Sequence, residues 1–135
     1  IRVDTTRRHL WATVADVRAF GDPTVRGAAL HQYDLATGLL LARHGPVEGA
    51  FNDIVVAPNG DAYATNTTEG SLWVVAGQDG TLRRFTAPGS VPEANGIAVD
   101  PDGRRLHDRQ EPHSAGPGPG KRSTRNTGVA MKNAT

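Results

Sequence analysis

Three stretches of the chain repeat one pattern. IRVDTTRRHLW (1–11), IVVAPNGDAYA (54–64) and IAVDPDGRRLH (97–107) align without gaps, and their starts lie 53 and 43 residues apart. Such a repeat constrains the fold more than any single motif, because each unit must bury its apolar face against a neighbour. Periods of about 40–50 residues with strand-like content are those of propeller blades. The longer first interval comes mainly from the polar insertion DVRAFGDPTVRG (16–27).

The middle unit has the grammar of four short strands. DIVVA (53–57) ends at Pro58-Asn59-Gly60, a turn in which Gly supplies a positive φ. DAYATN (61–66) and SLWVVAG (71–77) follow, and Asp79-Gly80 marks a hairpin into TLRRFTA (81–87). The first strand is apolar at consecutive positions, which fits a strand covered on both faces. The last carries Arg83 and Arg84, which fits an edge strand protected by charge. The first unit supplies IRVD, HLWATVA, AALHQYDLA and LLLARH, with Thr37-Gly38 turning the last pair. The third supplies GIAVD, the turn Pro101-Asp102-Gly103 and RRL. The pattern predicts an all-β chain, a partial β-propeller of about two and a half four-stranded antiparallel blades. The blades span 1–44 and 51–87, and an incomplete one spans 95–106. An all-β sandwich with coincidental similarity is the competing arrangement.

Length and composition narrow the classes. A chain of 135 residues suggests one domain. A net charge of +1 gives no electrostatic case for nucleic acid or a membrane surface as partner. No apolar run approaches the roughly 18 residues of a membrane-spanning helix. The chain has no cysteine, so neither a disulfide framework nor a thiolate site is available. Ile1 opens directly on a strand-like stretch with no leader before it. The expectation is that the chain begins inside a longer protein, and its compartment stays open.

Asn52-Asp53 and Asn95-Gly96 occupy the same place in their units, just ahead of the first strand. In a propeller that strand lines the central channel, so these side chains would converge near one mouth. Amide oxygens can bind a hard cation such as Ca²⁺, although Ca²⁺ wants six to eight oxygens and usually carboxylates among them. The same residues also suit a plainer role, because Asn ahead of a strand often caps a turn. The residues alone leave both readings open.

FNDIVVAPNGDAYATN (51–66) and ANGIAVDPDGRRL (94–106) resemble successive blade starts of the senescence-marker-protein/gluconolactonase family of six-bladed β-propellers. The resemblance covers residues 1–106. It implies a divalent-metal-dependent hydrolase of lactones or related esters, with Ca²⁺ or Zn²⁺ at the channel mouth. By the same resemblance Asn95 and Asn52 are metal ligands, and Asn52 and Asp53 bind the substrate. Ala50 stands where gluconolactonases often place a substrate-binding Arg, and the family's acidic metal ligands are not identifiable in the chain. The resemblance therefore implies a fragment inactive alone, whose partner in the parent fold is a small lactone or ester. The alternative is a non-catalytic propeller scaffold of the NHL type, which shares the IAVDPDG phrase. Open blade faces at either end lead us to expect self-association.

Other motifs carry less. His9, His31 and His44 lack metal-ligand spacing. AGPGPGKRST (115–124) fails as a phosphate loop, because Ala115 and Arg122 replace required residues and two prolines remove N–H donors. Asn66-Thr67-Thr68 and Asn133-Ala134-Thr135 fit the glycosylation sequon. Trp11 and Trp73 read as packing between blades. After Leu106 the repeat stops. Residues 107–135 contain no Phe, Tyr, Trp, Leu or Ile, but three Pro, four Gly and a net charge of +3. Such a composition buries too little to offset its ordering entropy, so 107–135 is expected to be a disordered tail. A propeller sequence joined to an unrelated tail by a change of reading frame would explain the break. A purposeful basic tail is the alternative.

Overall fold

The computed structural model describes residues 1–15, 27–109 and 128–130. Among them the chain is all-β, without helix, and every strand pairing is antiparallel. The first sheet holds β1 (Arg2–Asp4), β2 (His9–Val14), β3 (Ala28–Asp34) and β4 (Leu40–Val47) in sequence order. The second repeats that order with β5 (Phe51–Val56), β6 (Ala62–Asn66), β7 (Ser71–Val75) and β8 (Leu82–Arg84). The third has β9 (Gly96–Val99) beside β10 (Arg105–Arg109), with β11 (Gly128–Ala130) on the far side. No sheet closes on itself.

Alternation of apolar residues decides how the sheets stack. Along β5 and β6, Ile54, Ala62 and Ala64 face the first sheet and pack with Trp11, Ala28, Leu30, Phe51 and Val75. Val55 and Tyr63 point the other way, and join Leu72, Val74, Ile97 and Leu106 against the third sheet. The middle sheet is thus apolar on both faces. Ile54 and Val74 are completely buried, and each such side chain contributes roughly 1.5–3 kcal/mol. Hairpins set the spacing. Between β7 and β8, Gly80 sits at φ +73° and its N–H bonds to Ala76 O at 2.8 Å. Asp79 Oδ1 accepts from Thr81 N at 2.9 Å and fixes the turn.

The gapless alignment of the three units does not hold in the strand register. Val3 faces Leu10 and Val99 faces Leu106, so units one and three agree. In the middle unit Val56 faces Ala62, one residue earlier than the sequence alignment places it. The turn after β5 closes through Ala57 N to Asp61 O at 2.8 Å, whereas the turn after β9 closes one residue wider, through Asp100 N to Arg105 O at 3.0 Å. The hydrophobic pattern sets this slip, because a shift of one residue moves a strand's whole apolar set to the other face. Tyr63 thereby becomes the counterpart of Trp11, and Thr65 that of Thr13.

Unit boundaries differ slightly from expectation. The last strand of the first sheet runs to Val47 rather than 44, and β10 runs to Arg109, three residues past Leu106. Within the segment 107–135, His107 pairs with Gly128. The remainder of that segment, 110–127 and 131–135, lies outside the described residues, as does 16–26 of the polar insertion.

Candidate functional site

β5, the leading strand of the second sheet, lies against both β1 and β9, the leading strands of the first and third. Asn52 is near the start of β5, and Asn95 immediately precedes β9. The N-terminal ends of these two strands therefore carry the two asparagines. Both residues are exposed.

A local irregularity presents the first of them. Phe51 pairs with Asn66 and Ile54 with Ala64, so Asn52 and Asp53 together oppose Thr65 alone. This is a β-bulge, a device that bends a strand and re-aims its side chains. Thr65 is fully buried and occupies the gap that the bulge leaves. Its hydroxyl accepts from Asp53 N at 3.0 Å and donates to Asn95 O at 2.6 Å. One hydroxyl therefore joins both asparagine segments. Thr13, its counterpart in the first sheet, donates to Asn52 O at 3.1 Å.

Asp53 does not present a free carboxylate. Its Oδ1 accepts from Ile54 N at 2.8 Å, and its Oδ2 accepts from Ile97 N at 3.0 Å. Arg2 lies alongside, with Nη2 3.9 Å from Asp53 Oδ1 and Nε donating to Ile54 O at 2.9 Å. Arg2, Asp53 and Ile97 thus link the three leading strands.

The approach to the bulge is also fixed. Asn66 is fully buried. Its Nδ2 donates to Glu48 O at 2.9 Å, while its Oδ1 accepts from Ala50 N at 3.2 Å. Gly49 lies at φ +108°, and a Cβ there would fall 2.3 Å from Asn66 Oδ1. Asn66 is consequently closed to a glycosyltransferase in the folded chain, although its sequence fits the sequon. Beyond it, Glu69 binds Ser71, Arg84 and Trp73, the last from Nε1 at 2.9 Å. The Arg84 hydrogen bond is the main reason its carboxyl is held down at about 2. Arg84 also lies over the Trp73 ring, 4.8 Å from its centroid. This cluster is internally satisfied and serves the packing of Trp73. Trp11, in the first cluster, stacks on His44 at 5.5 Å between centroids.

Can these residues hold a divalent cation? The Asn52 and Asn95 amides make no hydrogen bond to a described residue and are available as donors of oxygen. Ca²⁺ takes six to eight oxygens, and Zn²⁺ takes nitrogen, thiolate or carboxylate ligands. Two neutral amides fall well short of either set, and both Asp53 oxygens are engaged by main-chain N–H groups. Among the described residues, no three His, Asp or Glu side chains gather at metal-binding distance. The residues present make part of a coordination shell, not a metal site. Cavities of about 190 Å³, between Trp11 and Gly77, and about 500 Å³, between Val3 and Val99, are lined by neither asparagine.

The repeat pointed to Asn52, Asp53 and Asn95 and passed over Thr13, Thr65, Asn66 and Arg2. A signal for the threonines exists. Trp11-Ala12-Thr13 and Tyr63-Ala64-Thr65 are the same aromatic-Ala-Thr phrase, displaced one residue from the alignment used to find the repeat. No protein family and no curated protein matches the chain.

Proposed function

We propose that the chain is a partial β-propeller of the lactonase-like hydrolase type, carrying two asparagines of a small-molecule site without a free catalytic carboxylate beside them among the described residues. The observation that carries this reading is the recurrence of one arrangement at two sheet junctions. Asn52 is the second residue of β5 and Asn95 immediately precedes β9, and each has its carbonyl held by a threonine of the preceding sheet. Sequential four-stranded sheets stacked face to face support the propeller part. A lactone or related ester is the proposed partner, and Ca²⁺ or Zn²⁺ the proposed ion.

An amide does not take up a proton near neutral pH, so neither asparagine can act as general base. Asp53 is engaged by two backbone amides. These 135 residues are accordingly expected to hydrolyse nothing alone. The engagement of Asp53 also favours a second reading, a non-catalytic scaffold in which the Asn-Asp pair only builds the bulge.

Calorimetric titration with Ca²⁺ and Zn²⁺, followed by a lactone-hydrolysis assay on the same sample, tests the proposal. Weak Ca²⁺ binding in the millimolar range, lost in Asn95→Ala and without turnover, is the expected result. Micromolar binding with metal-dependent turnover would contradict the claim of inactivity. No response to either ion at any concentration would leave the scaffold reading.

A further inference from the structure

We propose that Thr65 is the positioning residue of the asparagine site, its single hydroxyl fixing the spacing between Asn52 and Asn95. Thr13 secures Asn52 from the other side. The inference rests on reading Asn52 and Asn95 as site residues, and it adds what sets their geometry.

A hydroxyl has one hydrogen to donate and can accept as well. Thr65 uses both capacities between two sheets. It donates to Asn95 O at 2.6 Å and accepts from Asp53 N at 3.0 Å. Because the bulge leaves Asp53 N without a ladder partner, this hydroxyl takes the place of the missing carbonyl. Thr65 is fully buried, so no water can substitute for it. Thr67, two residues on, donates to Ala94 O at 2.5 Å and adds a second tie to the same incoming segment. At the first junction Thr13 makes the matching bond to Asn52 O. The tie corresponding to Thr67 is there a backbone bridge from Ala15 to Ala50. Two junctions built from unlike neighbouring sequence thus converge on one device. Arg109, paired with Gly96, occupies the corresponding register position in the third sheet. The phrase His107-Asp108-Arg109 therefore lacks the threonine that would hold a following sheet in this way.

Carbonyl capture leaves the amide side chains without a hydrogen bond to any described residue while fixing the backbone that carries them. Outer ties of this kind around ligating residues govern affinity elsewhere by about 10–100-fold. In this chain they would determine whether two amides on separate sheets can meet one ligand.

The experiment is a spectrum of the full chain labelled with ¹⁵N-asparagine. Six asparagines, at 52, 59, 66, 95, 126 and 133, each give one side-chain amide pair. Asn52→Asp and Asn95→Asp assign the two of interest. Thr65→Val removes the hydroxyl at nearly constant volume and should move both the Asn52 and Asn95 signals. Thr13→Val should move Asn52 alone, and Thr65→Ser should restore the wild-type positions. The half-buried Thr13 keeps the test open if the Thr65 variant fails to fold. Unmoved Asn95 signals in Thr65→Val, unmoved Asn52 signals in Thr13→Val, or a serine variant that behaves like valine would overturn the proposal. Calcium added to the wild-type sample tests the site reading separately. Asn52 and Asn95 signals that ignore millimolar calcium would sink the metal assignment and leave the positioning result standing.

Discussion

Replacing Asp53 by Ala removes the acceptor for two main-chain donors at once. Ile54 N and Ile97 N point at its two oxygens from 2.8 and 3.0 Å, and both isoleucine side chains are essentially fully buried. A buried donor left without a partner costs about 1–3 kcal/mol. The Ile54 N–H lies at the bulge, where water can partly replace the carboxylate, so its share falls at the lower end. Asp53→Ala should then destabilise the chain by about 3 kcal/mol, combining roughly 1 from Ile54 and 2 from Ile97. At this length 1 kcal/mol corresponds to about 4 °C in Tm, so the midpoint should drop by about 12 °C. Asp53→Asn keeps one acceptor oxygen and should lose about half as much. Urea unfolding followed by tryptophan fluorescence gives the global value. Amide hydrogen exchange at Ile97 gives the local one, expected to accelerate by about 30-fold for its share of roughly 2 kcal/mol, since 1.4 kcal/mol is a factor of ten. If Asp53→Ala stays within about 0.5 kcal/mol of wild type, the range of an ordinary surface change, the carboxylate does not join the sheets. The reasoning would then be wrong.

The Glu69 carboxyl is held at about 2 chiefly by the Arg84 hydrogen bond. A depressed folded value means its contribution is present above the ordinary value of 4.5 and disappears as pH falls through about 2. The urea midpoints of wild type and Glu69→Gln should therefore differ near neutral pH and converge across that interval; a constant gap would count against the ion pair. Gly49→Ala should cost more than about 2 kcal/mol, because its Cβ would meet Asn66 at 2.3 Å. Gly38→Ala, at φ +71° with nothing within 4 Å, should cost only the left-handed backbone penalty of about 1–2 kcal/mol; equal losses in urea unfolding would refute the steric argument. Val3, Leu10, Tyr33 and Leu40 form one cross-strand row on the face of the first sheet turned away from the second. Val3 and Leu40 are 46% and 49% exposed. Sedimentation should detect concentration-dependent association that weakens in Leu40→Glu, and a strict wild-type monomer would contradict it.

How much of this was legible in the sequence depends on the scale. Strand order within the first two units followed from turn chemistry and apolar runs, because Asp79-Gly80 and Pro58-Asn59-Gly60 fix hairpins locally. The asparagines were found because they sit at fixed positions ahead of apolar strands. The bulge was not, since nothing in Asn52-Asp53 reveals that both residues oppose Thr65 alone. That fact depends on a turn one residue shorter after β5 than after β9, and a gapless alignment conceals it. The repeat placed Asp53 beside Asn52, but not its bond from Ile97 N, 44 residues away. Past Leu106 the composition forecast no strand, yet β10 continues to Arg109. Pairing with β9 supplies backbone partners that side-chain patterning does not register.

Asn52 and Asn95 sharing one mouth is the centre of the account, and spin labelling tests it most directly. The native chain has no cysteine, so Asn52→Cys/Asn95→Cys places two nitroxides without background. Packed sheets lie about 10 Å apart, and opposite strand ends would add roughly 20 Å for a strand of six residues such as β5. Shared placement therefore predicts marked dipolar broadening of the frozen-solution spectrum relative to the sum of the single-label spectra. A double-label spectrum that superimposes on that sum would separate the two asparagines and contradict the account.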